Sequence, residues 1–261
     1  MDAVAQQLLK MQFLNLLKKY FIDSEFFVSL CGTLFASFFM MEQEVVRVPT
    51  MVMLFITFWS GYLYTTFQDS QYFKGVIIAN ALGAAASAFL LLFYHDYVDL
   101  VKWLVIVILG LLYNSKFLDN FIRNIPLLKI FYVGLTWALI NSWLILPHFH
   151  WPIFFISWLF ITALVLPFDI RDMDSDEVVT FPKVMGIEAT KYFAYFLVFA
   201  AMLLAIFYLK SPFSVAFFFT ALATFTLIYR SEPTNSDVYF SFWVELCSAL
   251  PFLFSVLLKY F

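Results

Sequence analysis

The stretch Asp169-Ile-Arg-Asp172-Met-Asp174-Ser-Asp176-Glu177 packs five of the chain's 18 acidic residues into nine positions. Continued as an α-helix, it points Asp169, Asp172 and Asp176 at about 0°, 300° and 340°, and Asp174 away at about 140°. Three carboxylates therefore share one face. Carboxylates ~5 Å apart repel by about 3 kcal/mol at an effective dielectric near 20, and Arg171 alone cannot neutralise three. Such a face calls for a cation, a bound proton or open water. Oxygen-only ligands suit Mg²⁺, which takes one or two carboxylates together with substrate phosphate oxygens. The alternative is a solvated loop, but these acids directly follow the apolar run ending Leu166-Pro167-Phe168, in a chain whose other loops hold few.

The elements that carry this motif are set by composition. Of 261 residues, 64% are hydrophobic and only 13% charged, which excludes an ordinary globular domain, a disordered chain and a collagen-like chain. Charge-poor runs recur at 26–41, 48–68, 75–95, 100–115, 130–168, 192–209, 211–229 and 238–258. The run 130–168 is about twice one membrane crossing, and the two prolines of Pro147-His-Phe-His-Trp-Pro152 split it. The reading is an all-α polytopic bundle of nine transmembrane helices over residues 22–261. Residues 1–21, with Lys10, Lys18 and Lys19 among leucines and phenylalanines, read as an interfacial helix.

With the N-terminus inside, 11 of the 15 basic residues fall on the cytoplasmic face, among them Lys74, Lys116, Arg123, Lys129, Lys183 and Lys191, and four outside. In a bacterium this would be the inner membrane. Cys31 and Cys247 lie in apolar runs and describe no disulfide framework. A net charge of −3 without a basic run argues against a nucleic-acid partner. The small residues Ala81, Gly83, Ala84, Ala85, Ala86 and Ser87 are read as a helix-packing face.

The motif resembles the second signature of the UbiA-type intramembrane prenyltransferases, D-x-x-D-x-x-x-D at the end of the sixth of nine helices, which Asp169, Asp172 and Asp176 fit in full. Thr180-Phe-Pro182 and Gly186 are similar to the family's following T-x-P and glycine, and Leu112 to Lys116 with Asn124-Ile-Pro126 to its connection between helices four and five. The family's first signature, N-x-x-x-D-x-x-x-D, corresponds to Thr65 to Phe73, where only Asp69 matches. The resemblance implies transfer of an isoprenyl chain from a prenyl diphosphate to an aromatic or other lipophilic acceptor. It further implies Asp69, Asp172 and Asp176 as catalytic carboxylates, and Mg²⁺ held by Asp69, Asp169, Asp172 and Asp176. Lys116, Arg123, Lys183 and Lys191 would face the diphosphate.

Other polar residues are weaker candidates. Glu245, about seven residues into the last span, is an intramembrane acid and so a functional candidate by default. His95, His148 and His150 are expected outside, away from the acids. Because Thr65 and Phe73 stand where the first signature has Asn and Asp, the alternative is a non-catalytic member of the fold that binds prenyl lipid or scaffolds a membrane complex. A transporter with Glu245 and Asp69 on an ion path lacks the paired broken helices that such folds use.

Overall fold

The computed structural model describes residues 25–94, 97–113, 125–176 and 178–259, and among these the regular elements are all helical, without a strand. The interfacial reading of residues 1–21, and with it His95, Lys116 and Arg123, lies outside the described residues. Nine helices are described: α1 (Phe26–Glu42), α2 (Val48–Phe67), α3 (Phe73–Phe93), α4 (Tyr97–Tyr113), α5 (Leu128–Leu139), α6 (Trp151–Arg171), α7 (Phe181–Tyr208), α8 (Ser211–Tyr229) and α9 (Glu245–Leu258). A π-helical turn, Ile140–Leu144, extends α5, and another, Tyr239–Val244, leads into α9. Five are long and apolar enough to cross a membrane: α3, α6, α7, α8, and α9 with its π turn. This is the make-up of a helical, multi-pass membrane protein.

Helix starts follow local chemistry. Pro49, Pro152, Pro182 and Pro212 each sit in the first turn, where the missing N–H costs nothing. The break between α5 and α6 falls at residues 145–150, and His150 accepts the Ile153 N–H through Nδ1 at 3.4 Å. That contact makes His150 a helix cap. The charge-poor run beginning at 192 starts its helix earlier, at Phe181, because Thr180 and Pro182 open a turn that continues across Gly186, whose φ of 81° breaks the helical path.

Contacts between helix ends show the chain running up and down. At one end Thr66 on α2 donates to Glu25 at the start of α1 (2.9 Å), Tyr113 of α4 stacks on Tyr132 of α5, and Phe168 of α6 lies against Phe240 before α9. At the other, Lys210 donates to Glu44 (2.7 Å) and Lys102 to the Leu146 carbonyl (3.0 Å). The Glu44 carboxyl is exposed and held below its usual range by that Lys210 hydrogen bond.

The centre is aromatic. Phe35 and Phe38 of α1, Phe160 of α6 and Phe217 of α8 are fully buried, with ring centroids 5.6 Å apart for Phe35 and Phe160 and 5.1 Å for Phe160 and Phe217. On α3, Gly83 faces Ile56 and Ser60 of α2, whereas Ala81, Ala84, Ala85 and Ala86 are exposed. The small-residue face is thus used in part.

Gly134 of α5 sets how closely α5 and α6 approach. A Cβ there would meet Thr162 Oγ1 and stand 2.9 Å from the Trp158 carbonyl oxygen, whereas one at Gly110 on α4 would meet nothing within 4 Å. Gly134→Ala should destabilise the protein by about 1–3 kcal/mol through overpacking, and Gly110→Ala should stabilise it by up to about 1 kcal/mol through helix propensity. Unfolding titrations in detergent read both.

Candidate functional site

The last turn of α6 carries Asp169, whose side chain is 2% exposed. The expected continuation of the helix through the motif does not occur. Helix α6 ends at Arg171, Asp172 is its C-cap, and residues 172–175 form turns. The Asp172 carbonyl accepts the N–H groups of both Ser175 (3.1 Å) and Asp176 (2.8 Å). This i to i+4 closure adds one non-helical turn and brings Asp176 back to the side of Asp169.

Both carboxylates meet a residue that the sequence reading counted only among the basic side chains of that face. Lys129 Nζ stands 3.0 Å from Asp169 Oδ1 and 3.2 Å from Asp176 Oδ2. The aligned hydrogen bond goes to Asp176, while the contact with Asp169 is an ion pair without hydrogen-bond alignment. At an effective dielectric near 20, each attraction is about 5 kcal/mol against a carboxylate repulsion of about 3 kcal/mol. Desolvation offsets much of that gain, so the contact's main effect is to make two buried acids tolerable. Lys129 is placed by the start of α5. Leu127, at φ 61°, occupies the left-handed region and donates its N–H to the Val179 carbonyl at 3.2 Å.

Asp172 does not join the other two. Arg171 grips it with Nε at 2.6 Å and Nη2 at 2.8 Å, a two-point pairing. The guanidinium also lies 5.2 Å from the Phe168 ring centroid and 5.7 Å from that of Phe240. The three-carboxylate face therefore resolves into a pair on Lys129 and a single acid on Arg171, with Asp174 exposed in the turn that follows the helix.

The other candidates divide. The Lys183 ammonium donates to the Asp176 carbonyl, which puts it at the motif. Lys191 is held by Glu232 (2.6 Å) and Glu188 (3.2 Å), beside an open groove of about 570 Å³ whose lining includes Met173, Met185, Glu188 and Glu232. Asp69 is exposed in the turn after α2, at the same end of the bundle as the motif. Phe73, at the position of the first signature's last Asp, starts α3 and lies 5.7 Å from the Tyr64 ring. Glu245 directly follows the π turn before α9, a feature often found at functional sites, within electrostatic reach of Arg171 and Glu25. At the start of α7 the Thr180 hydroxyl is buried and finds no hydrogen-bond partner among the described residues.

Among the described residues no group of three or more His, Cys, Asp or Glu side chains is placed to hold a metal ion. Magnesium takes one or two carboxylates from a protein when phosphate and water complete its shell. Asp169 Oδ1 and Asp176 Oδ2 offer two such oxygens, both on the Lys129 ammonium. Comparison with family models, curated proteins and solved structures finds no match for the chain.

A double-mutant cycle measures the Lys129 contact. Lys129→Met and Asp169→Asn should show a coupling of about 1–3 kcal/mol in unfolding free energy. Asp174→Asn, exposed and outside the pair, should stay within about 0.5 kcal/mol of the parent.

Proposed function

We propose that the chain is an intramembrane prenyltransferase of the UbiA type, taking a prenyl diphosphate and an aromatic or other lipophilic acceptor at the motif end of the bundle. One observation carries the reading: two carboxylates seven residues apart, one of them nearly inaccessible, converge on one cation position at a helix end. A merely solvated acidic loop has no reason to bury Asp169. The Thr180 hydroxyl, four residues after Asp176, is a further buried polar group without a hydrogen-bond partner among the described residues.

Under this reading Asp169 and Asp176 are the principal Mg²⁺ ligands of the second motif. Asp172, drawn to Arg171, orients that guanidinium, and Asp69 represents the first motif. Bound Mg²⁺ supplies neutralisation of the diphosphate charge. Lys183 and Arg171 pair with phosphate oxygens, and the topology read from the basic residues puts Lys116, Arg123 and Lys191 on the same side of the membrane. The allylic C–O bond breaks as diphosphate leaves with its electron pair. The allylic carbon bonds to the acceptor ring, which then loses a proton. The apolar Phe73 favours the second reading, a non-catalytic protein that binds prenyl diphosphate without turnover.

We further place the motif end in the cytoplasm, with nine crossings, on the 11 to 4 division of basic residues. A C-terminal reporter active only in the cytoplasm should stay silent, and an active one overturns this orientation.

Purified protein given Mg²⁺, labelled prenyl diphosphates and a panel of aromatic acceptors should form prenylated product. Asp176→Asn should lower the rate by at least about 100-fold, more than loss of an outer-shell partner costs, and Asp174→Asn should leave it nearly unchanged. Binding of the diphosphate without product selects the non-catalytic reading. Absence of both binding and product sinks the assignment.

A further inference from the structure

Lys129 occupies the place a metal would need. An ammonium at 3.0 and 3.2 Å from Asp169 Oδ1 and Asp176 Oδ2 and a magnesium ion at about 2.0–2.1 Å from the same atoms exclude one another. The contact is built in: Lys129 is 15% exposed, Asp176 8% and Asp169 2%, and the Leu127 to Val179 bond ties the start of α5 to the segment after the motif. A flexible lysine stem lets the ammonium swing within its own reach while its helix stays fixed.

We propose that Lys129 is the resident counter-ion of the acidic motif and makes metal and diphosphate binding conditional on each other. Without ligand, its ammonium neutralises Asp169 and Asp176 and opposes a divalent ion arriving alone. When the ion arrives with a diphosphate, the ammonium leaves the carboxylates for phosphate oxygens, so its charge stays compensated throughout. The metal's gain at the carboxylates is then no longer set against a stranded buried cation. The inference rests on the prenyl diphosphate reading, and it makes Lys129 a positioning residue whose role is to couple two ligands.

The test uses the full chain in detergent with Mn²⁺, which shares magnesium's preference for octahedral oxygen ligands, and inorganic diphosphate. Mn²⁺ binding alone is read by the loss of the free-ion resonance signal, and labelled diphosphate binding by equilibrium dialysis with and without Mn²⁺. Binding couplings are reciprocal, so the factor by which Mn²⁺ tightens diphosphate binding equals the factor by which diphosphate tightens Mn²⁺ binding. For the parent protein that factor should be at least about tenfold, on the scale of ordinary coupling between ligands.

Lys129→Met should bind Mn²⁺ alone at least about tenfold tighter than the parent and lose most of the coupling. Lys129→Arg, which keeps the charge, should retain weak Mn²⁺ binding, and Lys129→Gln carries the same expectation as Lys129→Met should the latter not fold. A loss of mere structural support would not raise metal affinity. If Lys129→Met and Lys129→Gln bind Mn²⁺ no tighter than the parent while the parent binds diphosphate in a Mn²⁺-dependent way, the counter-ion role is wrong and the site reading stands. If no variant and not the parent binds Mn²⁺ with or without diphosphate, both fall.

Discussion

A carboxylate that is 2% exposed at the end of an apolar helix is unstable unless a cation reaches it, and the motif end of this protein is organised around meeting that need. Asp169 is the carboxylate and Lys129 the cation. The antiparallel packing of α5 on α6 decides whether they meet. Gly134, one to two turns beyond Lys129, lets α5 close on Trp158 and Thr162 of α6, which sets the first turn of one helix beside the last turn of the other. The strained backbone at Leu127 then fixes where α5 begins. A shift of one residue at that start would rotate Lys129 by about 100° away from its partners.

The same constraint accounts for how the motif divides. Lys129 can serve two carboxylates, and a third beside it would leave the cluster with excess negative charge in a poorly solvated place. Arg171 takes the third, and the rings of Phe168 and Phe240 hold the guanidinium in position. The motif's three acids are thus met by Lys129 and Arg171, with the Lys183 ammonium on the Asp176 carbonyl. Carboxylates and cations thus alternate at this helix end, beside a buried Thr180 hydroxyl that has no hydrogen-bond partner among the described residues.

Much of the architecture was legible in the sequence, because hydropathy alone separates apolar helix from polar link. The runs 26–41 and 211–229 became Phe26–Glu42 and Ser211–Tyr229, and the Pro147 to Pro152 break fell where two prolines require it. The end of α6 was not legible. Phasing assumes a continuing helix, whereas Asp172 caps it and the chain turns, so the face came out with two acids instead of three. The start of α7 was misplaced because polar residues 181–191 look like a loop until Thr180 and Pro182 are read as a helix opening. Lys129 left one signal unused. It is the only charged residue between Arg123 and Asp169, and a lone cation opening one helix, opposite acids closing the next, is placed to pair with them. The contact of Glu25 with Thr66 joins residues 41 positions apart and has no local signature.

The most direct test of this account is an experimental structure with Mn²⁺ and a non-hydrolysable prenyl diphosphonate, with the metal located by its anomalous scattering. An anomalous peak should lie between Asp169 Oδ1 and Asp176 Oδ2, with the Lys129 ammonium moved onto the phosphonate oxygens. A metal bound elsewhere, or Lys129 still seated on both carboxylates beside a bound diphosphonate, would contradict it.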